Sequence, residues 1–153
     1  MKDVCSHCHT SDYIAGFYKQ YDDLVVLYNE KFAKPGQAIM DALKANGLLT
    51  ATQFDEEIEW TWYYLWHHEG RRARMGASMM GPDYTHWHGM FEVAERFYMG
   101  LVPQAREIIK HARENGRPEQ AKAAGEVLAA ILERPEHAWN GFAAEARREA
   151  EGD

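Results

Sequence analysis

Apolar and aromatic residues recur every three or four positions along most of the chain beyond Thr10. In DYIAGFYKQYDDLVVLYNEKF, Tyr13, Phe17, Tyr21, Leu24 and Tyr28 would share one face of a helix with Ser11 as its N-cap. Lys34-Pro35-Gly36 predicts the end of that helix. A shorter helix, QAIMDALKANG, should close at Asn46-Gly47. Thr52 or Asp55 opens a long third helix through EEIEWTWYYLWHHEGRRARMGASMM, with acids in its first turn and arginines later, as the helix dipole favours. Gly81-Pro82 interrupts the pattern, and Pro82 suits the first turn of a fourth helix that bends at Pro103 and stops at Asn115-Gly116. Pro118 starts another, EQAKAAGEVLAAILER. After Pro135 a short helix and the charged tail EARREAEGD should fray. No segment alternates with a period of two. The expected fold is all-α, a bundle of long antiparallel helices over 13–134, flanked by a separate segment at 1–12 and a short helix and tail at 135–153.

Composition narrows the function. A chain of 153 residues makes one domain with a sizeable core. Seventeen Lys and Arg against 24 Asp and Glu argue against affinity for nucleic acid or anionic membrane. No apolar run approaches the roughly 18 residues a membrane span needs. The rings of five Trp, eight Tyr and six Phe cluster in the first hundred residues. The aromatic faces that include Trp62, Trp66, Phe91 and Tyr98 exceed what one small bundle buries, so part should be exposed for a partner.

The chemistry begins at Cys5-Ser6-His7-Cys8-His9. A C-x-x-C-H pentapeptide is the attachment site of a c-type haem: two thiols add to the vinyl groups, and the following histidine ligates the iron. A redox C-x-x-C pair would want a βαβ context. Half of a zinc site would need His67 or His86 to converge on the thiols. Further histidines gather in WHHEGRRARMGASMMGPDYTHWHG. On a helix His86 and His88 lie about 200° apart and cannot chelate one metal, His67 and His68 diverge by about 100°, and Tyr84 shares a face with His88. Several cations beside these histidines suit haem propionates and further haem irons.

On these residues the chain resembles the C-terminal portion of the octahaem hydroxylamine oxidoreductases, a family that includes hydrazine dehydrogenases and reductive homologues. The resemblance runs from CSHCH through RRARMGASMMGPDYTHWHG to about residue 115. It implies haem c as cofactor, with Cys5 and Cys8 as thioether anchors and His9 as the proximal iron ligand. It implies that His86 or His88 is a distal ligand to the iron of another haem. Tyr84 matches the tyrosine that, in oxidative members, bonds to the catalytic haem of a neighbouring subunit in a trimer. The activity implied is oxidation of hydroxylamine or hydrazine in the periplasm or another extracytoplasmic compartment, with electrons passed to a redox-partner cytochrome. Because the chain carries one haem motif, the catalytic haem would belong to the rest of the enzyme. The start, MKDVCSHCHT, has no apolar signal region, so the expectation is a fragment or one subunit of a larger assembly. The alternatives are a stand-alone monohaem electron carrier and a haem-free helical interaction module.

Overall fold

Helix formation carries further along the chain than its breakers predict. A computed structural model of the protein describes residues 1–151. They form α1 (Lys2–Cys5), α2 (11–45), α3 (57–78), α4 (82–114), α5 (Pro118–Leu132) and α6 (Phe142–Glu151), with a 3₁₀ turn at Ala138–Asn140. The fold is all-α, without a strand among the described residues.

The expected stop at Lys34-Pro35-Gly36 is overturned. α2 runs through it because Asn29–Ala33 form a π turn, and Pro35 falls in the first turn after it. A widened turn leaves a backbone carbonyl without its usual donor, so the missing N–H and the bulk of the proline ring cost little there. The same device serves α4, where Pro103 follows the π turn Arg96–Leu101.

The cap of α2 is Thr10, not Ser11: the Thr10 hydroxyl accepts from the Tyr13 N–H at 3.4 Å. α3 starts later than Thr52 or Asp55 because side chains hold residues 50–56 in a loop. The Thr50 hydroxyl donates to the Asp55 carboxylate at 2.8 Å, and Glu56 accepts from the Thr50 N–H at 2.7 Å. Short polar side chains that bond to nearby backbone compete with the helix in this way. The stop at Asn46-Gly47 stands, with Gly47 in the left-handed region at φ 63°.

The core forms where π turns meet. Phe32 packs edge-on against Phe97 at 5.6 Å, and Ile39, Leu65, Leu101 and Leu128 close around them. Of the segment expected to fray, EARREAEGD, residues 145–151 are instead the larger part of α6, which packs on α5 and α4, and Gly152 and Asp153 lie outside the described residues. Phe142, Ala143 and Ala146 make its apolar stripe, while Arg106 reaches Glu145 at 2.8 Å and Glu149 at 2.6 Å. Periodicity in so charged a stretch is easily read as solvated surface.

Candidate functional site

The segment before α2 is a short helical turn that folds back on itself. Cys8 and His9 donate their N–H groups to the Cys5 carbonyl at 3.1 and 3.0 Å, which sets both thiols and the imidazole on one tight turn. Both cysteines are free thiols, Cys5 half-buried and Cys8 exposed. The His9 ring stacks on Tyr13 at 4.5 Å with 19° between planes. Cys5 and His9 line an open cavity of about 310 Å³ with Tyr13, Ile14, Phe17, Ser78, Met79 and Met80. Met80 stands in the left-handed region at φ 55°, and its sulfur accepts from the Tyr13 hydroxyl at 3.5 Å. Cys5 and His9 stand beside an apolar, ring-lined wall and Cys8 lies on the same turn outside the cavity; two thiols and an imidazole are the donor types that an iron porphyrin bound through thioethers needs. A zinc site finds no such support. Among the described residues, the clusters of three metal-capable side chains reduce to Asp55, Glu56 and Glu59, and include neither a cysteine nor a histidine.

The second part of the site is the turn between α3 and α4. Pro82 sits in the first turn of α4 as its sequence implies, and four residues later the helix widens into the π turn His86–Phe91. The two helices meet backbone to backbone. A Cβ on Gly76 would lie 2.6 Å from the Tyr84 carbonyl carbon, and one on Gly89 would lie 2.7 Å from the Ala73 Cα. Only glycine permits that approach. The contact holds the Tyr84 backbone in place while the residue stays 56 % exposed.

Tyr84 and His88 share a face, as their spacing of four requires, with ring centroids 5.7 Å apart. His86 looks elsewhere, lining a cavity of about 310 Å³ with Gln20, Leu24, Ala77, Met80, Pro82 and Thr85. Met80 lines both this cavity and the one that holds Cys5 and His9. His67 and His68 diverge as predicted: His67 stacks on Tyr63 at 4.7 Å, and His68 meets Tyr64 edge-on at 6.0 Å. Of the aromatic faces, Trp66 and Phe91 are exposed at 41 % and 54 %, Trp62 is half-buried, and Tyr98 belongs to the core.

Compared with protein-family models, curated proteins and solved structures, the chain matches none.

Spacing gave no reason to single out His137, which follows a proline in a region without periodicity. Its side chain is fully buried, its Nδ1 lies 2.8 Å from the Tyr98 hydroxyl, and its ring stacks on Phe97 at 5.2 Å. Burial lowers its pKa from 6.5 to about 4, with Arg134 and Lys31 adding to the shift and Glu136 opposing it. The folded state thus holds this histidine neutral. Its stabilisation is complete above about pH 6.5, declines as pH falls toward 4, and the loss reaches about 3 kcal/mol. Urea unfolding across that window should show the decline in the wild type and a flatter profile in His137→Leu. Parallel profiles would contradict a buried neutral imidazole.

Proposed function

We propose that this chain is the C-terminal, haem-bearing part of a multihaem c-type cytochrome that oxidises hydroxylamine or hydrazine. It contributes one electron-transfer haem and a scaffold of long antiparallel helices for trimerisation. The single observation that carries the reading is the cavity in which Cys5 and His9 meet Tyr13, Phe17 and Met80. Its lining is largely apolar, and Cys5 and His9 there, with Cys8 on the same turn outside the cavity, make up the donors that a covalent haem requires.

In this reading the Cys5 and Cys8 thiols would anchor the porphyrin and His9 would ligate its iron. When bound, the haem supplies reversible one-electron transfer. The protein's residues do the rest. Tyr13 stacks on His9 and so limits how the imidazole can rotate. Ile14, Phe17 and Met79 line the cavity with apolar groups, which favours the less charged state of a redox centre. Tyr84, held outward by the Gly76 contact, serves the catalytic haem of a neighbouring subunit. His86 or His88 ligates a haem iron elsewhere in the assembly. The exposed rings of Trp66 and Phe91 are apolar surface of the kind that partner subunits cover. Haem c is attached outside the cytoplasm, so the assembly belongs in the periplasm or an equivalent compartment. No helix is long and apolar enough to cross a membrane among the described residues.

The test is covalent haem. Protein matured with a cytochrome c assembly system should stain for haem on a denaturing gel. Cys5→Ser with Cys8→Ser should abolish the stain, and His9→Ala should keep it while losing the low-spin spectrum. An unstained wild type would overturn the reading. One haem per monomer in a protein that stays monomeric would favour the stand-alone electron carrier.

A further inference from the structure

We propose that the groove between α2 and α3, where Arg74 stands beside Trp62 and Trp66, binds a small organic monocarboxylate with a flat, apolar body. The proposal goes beyond the haem reading and does not depend on it.

Both helices widen into π turns along this groove, α2 at Asn29–Ala33 and α3 at Tyr64–Glu69. Such turns are frequent at functional sites. Two glycines set the register of the pair. A Cβ on Gly70 would collide with the Tyr28 ring, and one on Gly36 would collide with the Trp62 ring. Positions that rise along α2 thus meet positions that fall along α3. The result is an open cavity of about 360 Å³. Tyr28 and Arg74 lie toward one end, Lys34 and Gln37 toward the other, and the indoles of Trp62 and Trp66 form part of the wall.

Charge selects the ligand. Arg74 is half-buried, and its Nε donates to the Gly70 carbonyl at 3.1 Å. Its guanidinium carbon lies 5.0 Å from the centre of the Tyr28 ring. The guanidinium is therefore held from two sides, yet no carboxylate among the described residues pairs with it. Lys34 differs, because Glu30 on the same helix already neutralises it. The Gln37 amide likewise donates to Asp41 at 2.8 Å. A single uncompensated guanidinium suits a singly charged carboxylate, whose two oxygens match its fork, better than a phosphate dianion. The indoles select the rest of the molecule. Trp66 is 41 % exposed and Trp62 half-buried, so a flat ring seated against them removes apolar surface from water.

The probe is 3-phenylpropionate, titrated into the full chain. The indole N–H signals of Trp62 and Trp66 are followed by nitrogen-15 NMR and assigned through Trp62→Phe and Trp66→Phe. Both should shift and saturate at millimolar ligand or below. 3-Phenylpropionamide keeps the body and loses the charge, and should bind the wild type about 10-fold more weakly. Arg74→Gln should weaken the acid by a similar factor and leave the amide little changed, a contrast that loss of packing does not produce. Arg74→Lys keeps the charge without the fork and should fall between. Trp66→Ala should weaken acid and amide alike.

Equal binding of acid and amide by the wild type would overturn the proposal, as would an Arg74→Gln variant that binds the acid normally. So would a titration that never saturates, or one that moves other indoles and leaves Trp62 and Trp66 still. Should Arg74→Gln fail to fold, the contrast of acid with amide on the wild type still decides. A matured protein without covalent haem would sink the proposed function and leave the groove standing, so the two failures are distinct.

Discussion

On the proposed function, Tyr84→Phe in the assembled protein is expected to remove a covalent link between subunits on a denaturing gel and to reduce hydroxylamine oxidation sharply. The substitution deletes one oxygen and nothing else. Pro82 still starts the helix, and the approach of Gly76 to the Tyr84 backbone does not involve the ring. With the residue 56 % exposed, the fold of the chain is little weakened when the hydroxyl goes. Thermal unfolding of the variant should stay close to wild type, which separates a role in chemistry from one in packing. Subunits that remain linked, or oxidation that continues at the wild-type rate, would exclude Tyr84 from the catalytic centre.

Arg96→Ala is expected to cost about 3 kcal/mol. Glu69 is 2 % exposed, and one of its oxygens accepts from the Arg96 guanidinium at 2.7 Å. Its other oxygen is buried without a hydrogen-bond partner. Removing Arg96 leaves a buried carboxylate with nothing to balance it. Arg96 also lies over the Tyr64 ring at 5.3 Å, and this cation–π attraction disappears with the guanidinium. The value sits at the lower end for buried pairs because the Arg96 side chain is 40 % exposed and water can partly replace it. The double variant Glu69→Leu with Arg96→Leu should recover most of the stability, since it leaves no charge to desolvate. Urea unfolding of the single and double variants measures both effects. A single variant within about 0.5 kcal/mol of wild type, the range of ordinary surface changes, would show that Glu69 finds compensation elsewhere.

Sequence and structure part company where the local signal is weak or has two meanings. Pro35-Gly36 reads as a helix stop because proline breaks α-helical bonding. The π turn ahead of it carries Phe32, which packs on Phe97, 65 positions away. The tail EARREAEGD reads as solvated because its charges outnumber its apolar groups. Its helix is held by Arg106 of α4 and Glu133 beyond α5, partners that spacing along the tail cannot reveal. His137 has no local signature at all. Its burial follows from the chain turning back after Pro135 to lay the ring on Phe97.

Local chemistry and period were enough for the rest. The all-α class followed from apolar spacing of three and four and from the absence of alternation, since that period is a property of the helix itself. The turn at Gly81-Pro82, the shared face of Tyr84 and His88 and the divergence of His67 from His68 followed from helix geometry. The thiol-thiol-imidazole set at Cys5, Cys8 and His9 was readable because its members fall within five consecutive residues. Tertiary structure alone decided that Met80, Tyr13 and Phe17 wall the cavity beside that set, that Gly76 seats Tyr84, and that Arg74 lies over the Tyr28 ring. Each of those arrangements joins different helices, and a side chain's distant neighbours are chosen by how whole helices pack, which no window along the chain contains.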